Sequence, residues 1–209
     1  MSEVVLILGM AKHIPDSLKS MDMIGVDHGA LLCVQNHVKM VGAIGDFDSV
    51  SKQEYEWISS ESEVVRLPEK KNETDTEAAI SYALEKGYKT IYVYGGFGGR
   101  MDHEIANLSL LIHRDLPLIL MDDQNRIRVL HQGTYKIKKE YTYLSFIPLK
   151  ESVISEQGVA YPLEKRKLYK RDIYAISNEI VEEYADITIH EGSVLMIEAK
   201  DWSAEKLTF

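Results

Sequence analysis

The first 125 residues alternate short runs of β-branched residues with stretches of helical spacing, and each run ends at a glycine or an aspartate. This alternation is typical of a parallel sheet whose strands are joined by helices. We therefore predict an α/β domain in this half of the chain. Its strands are predicted at residues 4–8, 23–26, 41–44, 63–67, 90–94 and 118–121.

Two helices between these strands have recognisable ends. Thr74 is suited to cap a helix over the segment TDTEAAISYALEKG, with Glu77 completing a capping box and Gly87 ending the helix. A second helix is predicted from Asp102 towards His113, and Asp102 is interpreted as its cap. The apolar stripe predicted for the second helix consists of Ile105, Leu108 and Ile112.

After Arg126 the pattern changes to short strands and turns with little helical periodicity. The pair Glu191 and Gly192 lies between the apolar runs ITIH and VLMIEA, which indicates a hairpin turn. The predicted fold class is therefore α/β, with a Rossmann-like parallel-sheet domain over residues 1–126. A second, all-β domain follows over residues 127–209, as a sandwich or a partial barrel.

The composition excludes some classes of partner. The 209 residues include 24 Lys and Arg against 33 Asp and Glu, which gives a net charge of −9. An acidic protein lacks the basic surface that supplies non-specific affinity for nucleic acid, so we expect no nucleic-acid partner. The run VVLILGM is too short to span a bilayer, and no cleavage site follows it, so we expect a cytoplasmic protein with no membrane partner. The single cysteine, Cys33, is interpreted as a core residue.

Acidic residues and glycines collect after the predicted strands. In an open parallel sheet the carboxyl ends of the strands lie along one edge, where ligands usually bind. The sequence therefore predicts a binding site at this edge. Its candidates are Asp27 after the second strand, Asp46 and Asp48 after the third, Asp75 after the fourth, the segment GGFGGR after the fifth, and Asp122, Asp123 and Asn125 after the sixth.

Asp46 and Asp48 are two residues apart in VGAIGDFDS, so their carboxylates project to one side of an extended turn. Such a pair suits Mg²⁺, which is held in nucleotide chemistry by one or two carboxylates together with water and phosphate oxygens. A plain Asx-type turn is the alternative, and it would be preferred for an isolated pair. The acidic strand ends nearby favour the metal. For Asp75, a role at the helix N-terminus and a role as a further metal or water contact are equally supported.

The segment YGGFGGRMDH can bring backbone N–H groups close to a phosphate, and Arg100 can add a planar charged clamp. A plain connection is the alternative, because the segment matches neither the P-loop nor the dinucleotide-binding pattern.

Four motifs occur in a distinctive order along the chain: GDFDS at 45–49, ETDTEAAI at 73–80, GGRMDHEIANL at 98–108 and ISNEI at 176–180. Any one of them alone would be ambiguous, but the ordered set resembles the thiamine pyrophosphokinase family. The resemblance covers nearly the whole chain, and it includes GVAYPL at 158–163 and EGSVLMIEAKD near the end.

The resemblance implies that the β,γ-pyrophosphoryl group of ATP is transferred to the hydroxyethyl oxygen of thiamine, which gives AMP and thiamine diphosphate, with Mg²⁺ as the cofactor. It also implies a homodimer whose thiamine sites lie between subunits, with the C-terminal β domain contributing. Asp46, Asp48 and Asp75 match the family's acidic motifs and are the predicted catalytic and metal-binding residues.

The resemblance also places other residues. Tyr161 stands where an aromatic residue stacks on thiamine, and Ser177 and Asn178 match a pair near its pyrimidine ring. Without the resemblance these residues would be interpreted as a packing aromatic and a polar turn. The candidates for binding the nucleotide or its phosphates are Asp27, Gly98, Arg100, Asp102, Asp123 and Asn125.

One segment departs from the family pattern. Many relatives carry DKDxTD where this chain has KKNETD, so Lys70 and Asn72 occupy positions at which Asp is common. Asn72 can coordinate through its amide oxygen but brings no charge, which leaves the number of metal ions open.

Three other functions compete with this interpretation. The run DFDSV resembles the nucleophile loop of a Mg²⁺-dependent phosphatase, although its position after the third strand argues against that class. An Asp-x-Asp pair also occurs in nucleotide-sugar glycosyltransferases. From a different class, the chain could be a non-catalytic nucleotide or thiamine sensor that uses the same pocket.

Overall fold

The computed structural model describes residues 2–68 and 72–201, so that Lys70 lies outside the described residues. The chain divides into two compact units between Asp122 and Asp123. Within the described residues it has a mixed α/β fold with four α-helices, which confirms the predicted mixture of elements. The functional roles predicted for residues 1–126 and 127–209 stay predictions.

The first unit is built on six parallel strands. These are β1 (Glu3–Ile7), β2 (Asp22–Val26), β3 (Gly42–Gly45), β4 (Val64–Arg66), β5 (Thr90–Tyr94) and β6 (Leu118–Met121). They pair in the order β6-β5-β1-β2-β3-β4. All six lie within one residue of their predicted ends, because short runs rich in apolar and β-branched residues give a strong local signal.

The strand order reverses between β1 and β5. The chain runs from β1 outwards through β4, then returns to the other side of β1 to form β5 and β6. In open α/β sheets ligands bind in the crevice at such a reversal. The segments that follow β1 and β5 approach each other closely there, since a Cβ atom built on Gly95 would lie 2.6 Å from the backbone nitrogen of Ala11.

Four helices connect these strands: α1 (His28–Gln35), α2 (Lys52–Glu61), α3 (Asp75–Glu85) and α4 (Met101–His113), together with a short 3-10 helix at Asp16–Leu18. Thr74 caps α3 as predicted, because its hydroxyl accepts a hydrogen bond from Glu77 N at 3.1 Å. The carboxylate of Glu77 accepts from Arg114 at 3.0 Å. The capping box predicted for Thr74 and Glu77 is therefore wrong in its second half, and a complete capping box is found instead at the start of α2, between Ser51 and Glu54.

Two predictions for α4 are wrong. Arg100 is its N-cap residue, so Asp102 is the second residue of the helix and does not cap it. Ile105 was predicted to face the core but is 56% exposed, and the buried residues of α4 are Asn107, Leu110 and Leu111. The helix is rotated so that Asn107 can donate to the carbonyl oxygen of Gly96 at 3.1 Å, inside the unit.

The second unit has no helix among residues 123–201. Its antiparallel strands are β7 (Asn125–Lys138), β8 (Tyr143–Pro148), β9 (Ser152–Gln157), β10 (Leu163–Leu168) and β11 (Tyr184–Ala199). The strand β11 is central, because it pairs along its length with β7, through its first half with β9 and through its second half with β8. The apolar core of this unit includes Phe146, Ile154, Ile187 and Met196.

The hairpin predicted at Glu191 and Gly192 is wrong. The strand β11 continues through both residues, and its register with β7 shifts between Ile189 and Ser193. Gly192 adopts a φ of +88°, which favours glycine, and the hydroxyl of Ser152 accepts from Ser193 N at 3.2 Å beside it. A β-bulge therefore replaces the turn, at the point where β11 changes partner from β9 to β8.

Cys33 is fully buried in the core of the first unit, as predicted, and burial raises the pKa of its thiol to about 12.

In the part of the chain that the structure describes, no helix is both long enough and apolar enough to cross a bilayer.

Candidate functional site

The carboxyl ends of the parallel strands carry the predicted residues. Asp27 follows β2, Asp46 and Asp48 follow β3, and the glycine-rich segment follows β5. Asp75 is the first residue of α3, which comes after β4. Because the strands are parallel, the residues that directly follow them belong to one edge of the sheet.

Asp27 and Gly45 lie against each other at this edge, at the ends of β2 and β3. Asp27 has a φ of +49°, its N–H donates to Ile44 O at 3.0 Å, and its Oδ1 accepts from Phe47 N at 3.4 Å. A Cβ atom at position 45 would overlap Asp27 Oδ1. Glycine is therefore required for the carboxylate of Asp27 to lie against the end of β3.

The Asp46 and Asp48 pair forms a tight turn. The backbone N–H of Asp48 donates to Asp46 Oδ1 at 3.1 Å, which is the Asx turn considered as the alternative. Phe47 between them is 5% exposed, and its ring packs edge to face against Tyr55 with centroids 5.4 Å apart. The buried ring anchors the turn, while the side chain of Asp46 is half-buried and that of Asp48 is exposed.

The predicted metal ligands are not assembled into one cluster. Among residues 2–68 and 72–201, no group of three or more His, Cys, Asp or Glu side chains is arranged to hold a metal ion. Asp46 and Asp48 supply carboxylate oxygens from a single turn, which is the donor chemistry that Mg²⁺ prefers. Two carboxylates are fewer ligands than Mg²⁺ needs, and where it is held by so few it also binds water and substrate phosphates. Asn72 is exposed.

The glycine-rich segment already binds a carboxylate. The N–H groups of Gly98 and Gly99 donate to Glu104 Oε1 at 3.0 and 2.9 Å. These two N–H groups are the ones predicted to bind phosphate, and both can donate to a single anionic oxygen. Sequence reasoning missed Glu104, although an acidic residue in the first turn of a helix that follows a glycine-rich loop was a usable signal.

Arg100 is also held by a carboxylate. Its Nε and one terminal nitrogen donate to the two oxygens of Asp102 at 3.1 and 2.6 Å, which makes a bidentate pair on the surface. The guanidinium lowers the pKa of Asp102, and the carboxylate raises the pKa of Arg100. Asp123 and Asn125 are half-buried, and Asn125 is the first residue of β7.

The second unit brings Tyr161 and Asn178 together. Tyr161 N donates to Asn178 Oδ1 at 3.0 Å, and Asn178 Nδ2 donates to Tyr161 O at 3.0 Å. The side chain of Tyr161 remains 74% exposed. Ser177 is exposed, has a φ of +56°, and donates its N–H to Ser145 Oγ at 2.9 Å.

A buried acid lies behind these residues. Glu156, on β9, is 1% exposed, and its Oε2 accepts from Asn178 Nδ2 at 2.8 Å. Burial raises the pKa of Glu156 to about 7, and the hydrogen bond from Asn178 acts in the opposite direction. Sequence reasoning missed Glu156, although the alternation of buried residues along β9, with Ser152 and Ile154, places it on the inner face.

A parallel sheet whose carboxyl edge carries an Asp-x-Asp turn and a glycine loop that donates to an anionic oxygen is typical of α/β enzymes that bind their ligands at this edge. Comparisons with known proteins make the class specific. Residues 17–120 match the family model described as thiamin pyrophosphokinase, catalytic domain. Residues 134–194 match the model described as thiamin pyrophosphokinase, vitamin B1 binding domain.

Individual relatives agree with the family models. Thiamine pyrophosphokinase of Bacillus subtilis (strain 168) is 32% identical over 186 residues, which cover 85% of this chain and 87% of the relative. A crystal structure of the Bacillus subtilis protein has a TM-score of 0.85 at 31% identity and covers 96% of this chain and 100% of that one. The structure of a thiamin pyrophosphokinase family protein from Enterococcus faecalis has a TM-score of 0.86 at 28% identity, with the same coverage of 96% and 100%.

The chain therefore belongs to the thiamin pyrophosphokinase family. The resemblance noted in the sequence and the predicted enzyme class, a transferase of the thiamine diphosphokinase type, are confirmed. The phosphatase and sensor alternatives find no support in these comparisons.

Proposed function

We propose that this chain transfers the β,γ-pyrophosphoryl group of ATP to the hydroxyethyl oxygen of thiamine in a Mg²⁺-dependent reaction, giving thiamine diphosphate and AMP. The observation that carries the proposal is the match of both family models, in order, along the chain. The Rossmann-like domain over residues 1–126 binds the nucleotide, and the all-β sandwich over residues 127–209 binds thiamine.

In this proposal Asp46 and Asp48 hold Mg²⁺, and Asp75 contributes a further carboxylate. The Asx turn uses one oxygen of Asp46 as an acceptor, and a carboxylate has a second oxygen for a cation. Bound Mg²⁺ would offset the negative charge that develops on the phosphate oxygens. Asp27, packed against Gly45, keeps the turn that carries Asp46 in place.

The remaining edge residues bind the phosphates of ATP. The N–H groups of Gly98 and Gly99 donate to an anionic oxygen of the phosphate in the geometry in which they donate to Glu104. The guanidinium of Arg100 already donates two hydrogen bonds to the carboxylate of Asp102, and the same two nitrogens are suited to bind a phosphate. Asp102, Asp123 and Asn125 complete the proposed nucleotide-binding set.

In this proposal thiamine binds at the surface formed by Tyr161 and Ser177, next to Asn178, which is buried. An exposed tyrosine ring offers a face for an aromatic, cationic ligand such as the thiazolium of thiamine. The proposed active unit is a cytoplasmic homodimer with sites between subunits. The large apolar side chains that are at least 48% exposed, and so available to a subunit interface, are Met10, Met101, Ile105, Tyr161, Ile173, Tyr174, Ile176 and Val181.

The test is to incubate the purified protein with thiamine, ATP and Mg²⁺, with and without EDTA, and to resolve the products by chromatography. We expect equal amounts of AMP and thiamine diphosphate, and none with EDTA. The formation of ADP with thiamine monophosphate would contradict the proposed transfer.

Variants assign the edge residues. Asp46→Asn and Asp48→Asn should each lower kcat at saturating Mg²⁺ by at least 100-fold, whereas Glu3→Gln should not. Glu3 is an exposed carboxylate at the amino end of β1, on the opposite edge of the sheet. Near-normal turnover by both aspartate variants would exclude these residues as metal ligands.

A further inference from the structure

Every hydrogen-bonding group of the Asn178 side-chain amide has a partner within the protein. Its Oδ1 accepts from the N–H groups of Tyr161 and Glu179, both at 3.0 Å. Its Nδ2 donates to Tyr161 O at 3.0 Å and to Glu156 Oε2 at 2.8 Å. An asparagine amide has two donor hydrogens and one acceptor oxygen with two lone pairs, so no capacity remains for a ligand.

Glu156 is one of the groups that fix the orientation of this amide. Its Oε2 accepts a hydrogen bond that only the NH₂ end of Asn178 can donate. In that orientation Oδ1 lies towards the N–H of Tyr161. Because Glu156 is 1% exposed and Asn178 is 8% exposed, water does not replace these bonds readily.

The amide of Asn178 holds both backbone groups of Tyr161 in the way that a neighbouring strand would. The adjacent residues are tied as well, since Ala160 N donates to Glu179 O at 2.9 Å and Val159 forms an isolated bridge with Ile180. The backbone of Tyr161 is therefore fixed while its ring is 74% exposed. A fixed backbone with an exposed aromatic ring is suited to a binding surface.

We propose that Glu156 and Asn178 are positioning residues for thiamine binding, and that they act through the backbone of Tyr161 without touching the substrate. This inference rests on the proposed function, because it takes the ring of Tyr161 as the surface that contacts thiamine. It gives Asn178 a specific role, and it adds Glu156, which belongs to none of the motifs identified in the sequence.

The test compares Glu156→Leu with Glu156→Gln. Leucine removes the acceptor and leaves Asn178 Nδ2 without its partner, whereas glutamine keeps one carbonyl acceptor of nearly the same size. We expect Glu156→Leu to raise the KM for thiamine by at least tenfold, with kcat at saturating thiamine within threefold of the wild type and the KM for ATP unchanged. Glu156→Gln should restore the KM for thiamine to within threefold.

A double-mutant cycle tests the route through Tyr161. In a Tyr161→Ala background, Glu156→Leu should raise the KM for thiamine by less than twofold, because the ring that it positions is gone. Asn178→Ala should behave like Glu156→Leu, and it carries the test if the leucine variant does not fold. The matched control is Glu198→Gln, a buried carboxylate of the same unit that pairs with Arg126, and its KM for thiamine should not change.

Direct calorimetry of thiamine binding separates this inference from the proposed function. If the wild type binds thiamine but forms no thiamine diphosphate, the proposed reaction fails, while the comparison of variants by Kd still decides the positioning role. An unchanged affinity in folded Glu156→Leu and Asn178→Ala, or effects that add to that of Tyr161→Ala, would overturn the inference.

Discussion

The carboxylate of Asp27 occupies the space in which a side chain at position 45 would begin. Gly45 ends β3, and the Oδ1 of Asp27 lies where the Cβ of any other residue would stand. Asp27, which follows β2, thus restricts which residue can end the neighbouring strand β3. The sequence predicts Asp27 at the site but not its contact with Gly45.

Gly45→Ala should displace the Asp27 carboxylate and, with it, the turn that carries Asp46 and Asp48. We expect a folded protein whose KM for ATP rises at least tenfold, measured by steady-state kinetics. Gly87→Ala is the matched control, because Gly87 has a φ of +89° and a Cβ added there would have no atom within 4 Å. It should cost about 1 kcal/mol of unfolding free energy and leave the KM unchanged. Wild-type kinetics in Gly45→Ala would contradict the prediction.

Arg100→Gln should weaken nucleotide binding with little effect on stability. The guanidinium is exposed, so solvent screens its pairing with Asp102 and the pair contributes little to folding. Loss of a bidentate phosphate contact should raise the KM for ATP about tenfold. Arg114→Gln removes an exposed arginine near the other end of α4 that pairs with Glu77, and it should leave the KM for ATP as in the wild type. Equal effects of the two substitutions would argue against a specific phosphate contact.

The buried Glu156 should make stability depend on pH. Burial raises its pKa from 4.5 to about 7, so between these values the folded state keeps a proton that the unfolded chain has lost. Its contribution to the free energy of unfolding is therefore fully present below pH 4.5 and is lost as pH rises through 7. Relative to Glu156→Gln, the wild type should lose on the order of 3 kcal/mol between pH 4 and pH 8.

Urea denaturation of wild type and Glu156→Gln at both pH values measures this difference directly. Glu164→Gln, which removes an exposed carboxylate of β10, serves as the matched control. If raising the pH instead made the wild type more stable relative to Glu156→Gln, the change in unfolding free energy would have the opposite sign. That result would rule out a raised pKa of Glu156 as the cause of the pH dependence.

Glu198→Ala should be strongly destabilising. Glu198 is 2% exposed and receives two hydrogen bonds from Arg126, both 2.6 Å long. Removing one partner leaves the half-buried guanidinium with less compensation, which costs about 3–5 kcal/mol in comparable buried pairs. Chemical denaturation checks this value. Glu56→Ala, which removes an exposed partner 3.8 Å from Lys52, should cost less than about 0.5 kcal/mol.

The sheet of the first unit could be predicted because its signal is local. Five of the six strands are short apolar runs that end at or close to glycine or aspartate, whereas β4 is followed by Leu67 and Pro68, and the parallel order brings the strand ends to one edge. The same reasoning found Asp27, Asp46 and Asp48 before any geometry was known.

The orientation of α4 could not be predicted, because packing decides which of two apolar faces is buried. Met101 and Ile105 are exposed, while Leu110 and Leu111 face the core together with a polar residue, Asn107. A periodic stripe does not show that an asparagine will be turned inwards by a carbonyl group eleven residues earlier in the chain.

The acids behind the site were missed for a different reason. Glu104 and Glu156 are single carboxylates in ordinary elements, and their partners are far away in sequence or belong to the backbone. Glu156 meets Asn178 across 22 residues, which no local pattern encodes. The sequence therefore predicts candidate site residues at strand ends, but it does not predict the carboxylates that hydrogen-bond to the site residues from within the fold.

The bulge at Gly192 gives the second unit a place where chain length can change. A residue inserted within either half of β11 would turn every later side chain to the opposite face, for example exchanging Ile187 and Ile189 for Thr188. At Gly192 the register already shifts, and the partner changes from β9 to β8. The bulge already holds extra residues of β11 opposite β7, so an insertion at this position can enlarge the bulge without turning either half over.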